Sequence, residues 1–98
     1  MLSERVTAPM AERLGFVNRV VAGAALEAET VAMAHRLASG APIALRYIKE
    51  NVHAALDQSV EQALDVESRN MIRTRLTDDA KEAMQAFIDK REPTFKGT

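Results

Sequence analysis

The chain has 98 residues, of which 47% are apolar and 28% charged, the composition of an ordinary globular domain. Thirteen basic against fourteen acidic residues give a net charge of -1, so overall charge would attract neither nucleic acid nor an anionic membrane. The absence of cysteine excludes a disulfide framework, a thiolate metal site and a cysteine nucleophile. The sequence also lacks an apolar run of roughly 20 residues and an export signal. It therefore predicts one cytoplasmic domain, residues 1–98, with no membrane or nucleic-acid partner.

The first predicted elements are a short helix and an extended segment. Thr7 is expected to accept a hydrogen bond at the helix start, with Pro9 in the first turn and Gly15 just past the end. Residues 16–21 are β-prone and fit one short strand or an extended connection. The chain offers them no partner strand, and a lone strand cannot satisfy its own backbone groups.

Two helices are predicted next, from residue 25 to 39 and onward from Pro42. Gly40 follows the end of the first, and Pro42 suits the first position of the second. Apolar residues at helical spacing mark one face of each. On the second helix this face comprises Ile43, Tyr47, Ile48 and Val52.

Two further helices complete the chain. Ser59 and Gln62 form a capping-box pair before a helix that runs to about Arg75. Thr77 is expected to cap the last helix and Pro93 to end it, leaving residues 94–98 as a tail. The last helix carries an apolar stripe of Ala80, Ala83, Met84, Phe87 and Ile88. The predicted fold class is all-α: four to five helices with one short extended segment at residues 16–21. A chain of this length is expected to bury something over 60% of its extended surface.

Chemistry-bearing motifs are sparse. His35 and His53 stand apart from each other and from any carboxylate pair at metal-ligand spacing. The acidic residues Asp57, Glu61 and Asp65 recur every four residues, as expected for a solvated helix edge. There is no glycine-rich phosphate loop and no readable Ser/His/Asp arrangement. We therefore predict no catalytic residue and no metal site within these residues.

Three ordered motifs resemble the enoyl-CoA hydratase/isomerase (crotonase) family. Residues 5–21 are similar to its "V-T-A-x-x-A-x-x-x-G-L-V-N-x-V-V" segment, and residues 38–49 to its "P-x-A-x-x-x-x-K" helix. Residues 79–97 resemble its terminal "D-x-x-E-G-x-x-A-F-x-x-K-R-x-P-x-F-x-G". The departures are small: Ser3 stands where the family often has glycine, and Ala83 replaces a usual helix glycine.

The resemblance implies the C-terminal helical third of such an enzyme. The family's spiral core, which carries the oxyanion hole and the proton-transferring acids, would be absent, so no turnover is expected from this chain alone. Residues 16–21 would find their partners in that core. The implied partners are other copies, in a trimer or hexamer in the parent, and self-association is expected for the fragment. Acyl-CoA is the implied substrate, in fatty acid metabolism, and no prosthetic group is implied. The acyl chain and the choice of hydratase, isomerase or other chemistry depend on the missing part.

The resemblance also nominates Phe87 and Lys90 as CoA-binding residues. In the family's "A-F-x-x-K-R" motif, these side chains reach the adenine and phosphate end of CoA bound largely by an adjacent subunit. At a spacing of three, both are expected on the same side of the last helix. The alternative is that Phe87 is a core residue and Lys90 a surface charge at a helix C-terminus.

Two other classes of protein compete with this interpretation. One is a free-standing helical protein-interaction module derived from the same family. The other is a nucleic-acid-binding helical bundle, which the charge balance disfavours. The coding sequence upstream would separate the first alternative from an enzyme fragment.

Overall fold

A computed structural model describes residues 3–98, and these residues form α-helices, one 3-10 turn and no strand. The elements are α1 (Ala8–Arg13), the 3-10 turn (Gly23–Ala25), α2 (Leu26–Ala38), α3 (Pro42–Ala54), α4 (Val60–Arg75) and α5 (Asp78–Asp89). The all-α prediction is confirmed. Contacts divide the described chain into two compact units, residues 3–35 and residues 36–98; a single domain stays a prediction. None of the described helices is both long and apolar enough to cross a membrane.

Helix α1 is closed at its end rather than at its start. Thr7 occupies the N-cap position, but its hydroxyl accepts no hydrogen bond, so that part of the prediction is wrong. Pro9, in the second helical position, removes one of the two amides that an N-cap side chain can accept from, and the hydroxyl of Thr7 does not accept from the other, that of Met10. At the other end Gly15 adopts φ 77, as predicted for a C′ residue. The amide of Phe16 donates to the carbonyl oxygen of Ala11 (2.8 Å), which completes a Schellman motif.

Residues 16–21 form no strand: residues 16–18 are bends, and residues 19–21 have no regular secondary structure. Side chains hold this segment in place of a β-ladder. The Glu12 carboxylate accepts a hydrogen bond from the Val20 amide (3.0 Å), and Arg19 pairs with Glu29 (2.8 Å). The Arg19–Glu29 pair is about half exposed, so it adds little to stability.

In the second unit, α3 packs on α4 and α4 packs on α5. The predicted capping box at the start of α4 is confirmed: the Gln62 amide donates to Ser59 Oγ (3.3 Å), and the Ser59 amide donates to Gln62 Oε1 (3.0 Å). Between α3 and α4, the Asn70 side chain is 2% exposed and donates to Asn51 Oδ1 (2.7 Å). A buried amide needs such a partner, so this pair favours one register of α3 against α4.

Helix α5 begins as predicted but ends differently. Thr77 Oγ1 accepts from the Ala80 amide (3.1 Å), which confirms the predicted cap. The helix stops at Asp89, before Pro93, so the prediction that Pro93 ends it is wrong. Lys90 has φ 54 and ψ 41, and the Arg91 amide donates to the carbonyl oxygen of Ala86 (3.0 Å). This is again a Schellman motif, with a lysine where glycine would be unstrained.

The chain buries little of its surface. Among the described residues only Ala86, Asn70 and Asp79 are buried, and twenty large apolar side chains are exposed. The accessible surface is 8528 Å², whereas a compact protein of 10.8 kDa exposes about 5,500 Å². An extended chain of this mass exposes about 15,700 Å², so about 46% is buried. The expectation of over 60% is wrong, because most large apolar side chains of the described residues stay more than a third exposed.

The left-handed backbone at Lys90 predicts that Lys90→Gly stabilises the fold. Glycine removes the Cβ clash at positive φ but increases the freedom of the unfolded chain, so the net gain should be about 0.5–1 kcal/mol. Urea unfolding followed by circular dichroism measures it. The matched control is Lys81→Gly within α5, which should lose about 1 kcal/mol. A destabilised Lys90→Gly would contradict the cap assignment.

Candidate functional site

The second unit contains an apolar groove with a volume of about 400 Å³. It lies between the start of α3, the end of α4, helix α5 and the ring of Phe95. Its apolar lining includes Ile43, Ala44, Ala83, Met84, Phe87 and Phe95. Phe87, at 86% exposure, presents nearly its whole ring to the outside. The size and lining are those of a surface that accepts apolar side chains or part of a small ligand.

The tail, residues 94–98, turns back onto the start of α5 through the carboxylate of Asp79. This side chain is 3% exposed, and its two oxygens accept hydrogen bonds from the amides of Lys96 (2.7 Å) and Gly97 (2.9 Å). The first amides of α5, of Asp78 and Asp79, donate to the main-chain oxygen of Thr98 (2.8 and 3.1 Å). The sequence predicted only a tail at residues 94–98, without this contact. No local sequence pattern signals it, because the contact joins residues 17 and 18 positions apart.

One turn further along α5, Glu82 holds the beginning of the tail. Its carboxylate accepts two hydrogen bonds from the Arg91 guanidinium (2.6 and 3.0 Å) and one from the Thr94 amide (2.9 Å). The hydrogen bonds from Arg91, and then that from Thr94, lower the pKa of Glu82 to about 2. Arg91 also approaches Asp89 (3.4 Å), and the bond to Glu82 raises the guanidinium pKa.

The two nominated CoA-binding residues lie near each other in the chain but do not share a helical register. Phe87 belongs to α5 and is exposed, so it is not a core residue of this chain. Lys90 lies past the helix end, and its φ of 54 rotates the Cβ by roughly 115° from the helical direction. The helical spacing on which the same-side prediction rested therefore does not apply at Lys90. Their role as ligands stays a prediction.

The remaining candidates do not assemble into a reaction centre. Among residues 3–98, no three His, Asp or Glu side chains converge as a metal site would require. Asp57, Glu61 and Asp65 lie exposed, as their spacing predicted. The pKa of Glu61 is lowered by its own backbone amide and by Ser59. Like Glu82, it is thus held ionised, which does not suit a general acid at neutral pH.

Comparison with known proteins identifies the family. The profile described as "Enoyl-CoA hydratase/isomerase" matches residues 1–98, and the chain belongs to this family. The mitochondrial enoyl-CoA hydratase of Pongo abelii is 30% identical over 96 residues, which are 98% of this chain and 33% of that protein.

Solved structures agree with this assignment. An enoyl-CoA hydratase subunit from Geobacillus kaustophilus is 43% identical with a TM-score of 0.87, covering 94% of this chain and 36% of its own. An enoyl-CoA hydratase from Polaromonas sp. JS666 is 32% identical with a TM-score of 0.90, covering 95% of this chain and 36% of its own. The chain spans about a third of the length of these relatives.

The lowered pKa of Glu82 predicts how the tail contact depends on pH. A carboxyl whose folded pKa lies below its ordinary 4.5 contributes stability that is present above 4.5 and lost as pH falls through about 2. The NMR signal of the Thr94 amide, which donates to this carboxylate, should therefore shift with a midpoint near pH 2. The Glu82→Gln variant should show no such titration. A midpoint above 4 in the parent chain would contradict the Arg91 contact.

Proposed function

We propose that residues 1–98 are the C-terminal helical segment of an enoyl-CoA hydratase/isomerase-like enzyme that acts on acyl-CoA thioesters. In this proposal the segment supplies subunit contacts and contacts to the adenosine end of CoA. The observation that carries it is the apolar surface that the chain leaves open, together with family membership along all 98 residues.

The large accessible surface supports a segment whose apolar faces are covered by other protein surfaces in the parent enzyme. The accessible area exceeds that of a compact protein of equal mass by about 3,000 Å². A standard protein interface covers about 800 Å² on each partner, so the excess is sufficient for several contacts. It is consistent with an enzyme core and neighbouring subunits sharing these helices. The exposed side chains include Ile48 and Val52 on α3, and Met84, Phe87 and Ile88 on α5.

The end of α5 supports a contact to CoA. An exposed aromatic ring such as Phe87 suits the adenine face, and the ammonium of Lys90 suits a phosphate. Lys90 retains a backbone conformation that glycine would adopt without strain. Strain of this kind concentrates at functional positions, which is consistent with a need for the ammonium group. In this proposal an adjacent subunit supplies most of the CoA site, so the isolated chain should have little affinity for CoA.

A second candidate function is a free-standing helical interaction module, and the same open apolar faces favour it. An in-frame upstream coding region with a family-like oxyanion segment would favour the enzyme. A stop codon immediately upstream would favour the module. The cytoplasmic location stays a prediction in either case.

The isolated chain should not turn over crotonyl-CoA. Three acidic side chains have a lowered pKa: Glu61, Asp78 and Glu82. A general acid at neutral pH needs a raised pKa, so these residues do not suit that role. Absorbance of the enoyl thioester measures turnover. Activity that survives repurification and disappears in Glu67→Gln or Glu82→Gln would contradict the prediction.

The isolated chain should self-associate. Contiguous apolar patches of a few hundred Å² rarely stay uncovered in solution. Light scattering across a concentration series should give a mass above 10.8 kDa that rises with concentration. The double variant Met84→Gln/Ile88→Gln should lower that mass, while Gln85→Ala, on the same helix, should not. A monomer at millimolar concentration would contradict the prediction.

In the full-length parent, Lys90→Ala should weaken binding of acyl-CoA by about 1 kcal/mol or more, for a lost charge-assisted contact. Binding of acyl-pantetheine, which lacks the adenosine end, should not change. Lys90→Gly should weaken acyl-CoA binding by the same amount, although it relieves backbone strain. This variant therefore distinguishes loss of the ammonium group from loss of stability as the cause of weaker binding. Lys81→Ala is the control, because that lysine lies near the opposite end of α5. Equal effects on both ligands would leave Lys90 a structural residue.

A further inference from the structure

We propose that Asp79 is a positioning residue for the apolar groove. Its buried carboxylate holds the main chain at Lys96 and Gly97, and this contact places the ring of Phe95 as one wall of the groove. The consequence for association rests on the proposal that the groove belongs to a surface covered by other subunits.

The main chain is hydrogen-bonded on both sides of Phe95. The preceding amide, of Thr94, donates to the Glu82 carboxylate (2.9 Å), and the following amide, of Lys96, donates to Asp79 Oδ1 (2.7 Å). Residues 94–98 have no regular secondary structure that could supply these bonds. Two carboxylates, one turn apart on α5, therefore restrain the main chain on both sides of a half-buried aromatic ring that lines the groove.

Asp79 differs from the adjacent Asp78 in burial and in its hydrogen-bond partners. Asp78 is exposed, and its carboxylate pairs with Lys81 (2.6 Å). Asp79 is buried, and its two hydrogen bonds come from main-chain amides of the tail. Both lie in the first turn of α5, where a negative charge is favoured by the helix dipole. Asp78→Asn therefore removes the same charge from the same helix end without touching the tail, and it is the matched control for Asp79→Asn.

Gly97 gives a second way to release the tail. Its φ of 76 lies in the left-handed region, and its amide reaches Asp79 Oδ2 (2.9 Å) from that conformation. An added Cβ would meet Pro42 Cγ at 3.5 Å, an ordinary contact, so the cost of Gly97→Ala is backbone strain rather than a clash. This variant loosens the contact while leaving Asp79 and the helix N-terminus unchanged.

The test uses the 98-residue chain labelled with fluorophenylalanine, in which three phenylalanines give three fluorine signals. The expected result is that the Phe95 signal narrows and moves to a solvent-exposed shift in Asp79→Asn and in Gly97→Ala, but not in Asp78→Asn. Helix content by circular dichroism should stay unchanged in all three. An unchanged Phe95 signal in both Asp79→Asn and Gly97→Ala would overturn the inference.

Association is measured on the same samples by sedimentation. Asp79→Asn and Phe95→Ala should raise the dissociation constant by about tenfold, as for loss of a packed interface aromatic. Asp78→Asn should have no effect. A parent chain that stays monomeric would refute the subunit-contact part of the proposed function, while the fluorine signals still decide the role of Asp79.

Phe95→Ala keeps the inference testable if Asp79→Asn does not fold. In Phe95→Ala the amides of Lys96 and Gly97 should remain protected from hydrogen exchange, because their acceptor is intact. Loss of that protection would mean that the ring of Phe95, and not Asp79, holds the tail in place. That result would overturn the inference.

Discussion

The buried carboxylate of Asp79 is the contact on which the placement of the tail, residues 94–98, depends. A charge removed from water is costly unless hydrogen bonds replace its hydration, and here the amides of Lys96 and Gly97 do so. In return the main-chain oxygen of Thr98 accepts from two amides at the start of α5, which have no partner within the helix. Helix start and tail therefore satisfy each other's polar groups. Without either one, the other would be left with unpaired donors or acceptors.

This arrangement matters because apolar burial contributes so little within the chain. A single apolar residue, Ala86, is buried among the described residues, so side-chain packing alone provides a small core. Local devices then carry more weight than in a larger domain: the capping box of Ser59 and Gln62, the Thr77 cap and the glycine at the end of α1. Helix caps therefore stabilise the helices at their ends, and the apolar faces remain available for other protein surfaces.

At position 90, the stability of the backbone and the proposed CoA contact favour different residues. A glycine at position 90 would relieve the backbone, yet a lysine occupies it. Natural proteins often retain such strain where a side chain acts on a ligand. The exposed ring of Phe87 lies one turn earlier, at the edge of the apolar groove. The proposed CoA contact would explain why neither residue is optimised for the isolated chain.

Sequence alone determined the helices, because each is encoded by signals only a few residues apart. The Ser59–Gln62 pair, Thr77, Pro42 and Gly15 predicted their helix boundaries correctly, and the ordered motifs identified the family. The same reasoning failed for the Thr7 bond, which the structure does not contain.

Tertiary structure decided what depends on residues distant in sequence. The return of the tail joins Asp79 to residues 96 and 97, and no local pattern encodes a contact across 17 or 18 positions. The direction of Lys90 depended on a helix end set by backbone dihedrals rather than by Pro93. The open apolar surface also became visible only when the helices were placed, because a helical stripe predicts burial without specifying the partner that provides it.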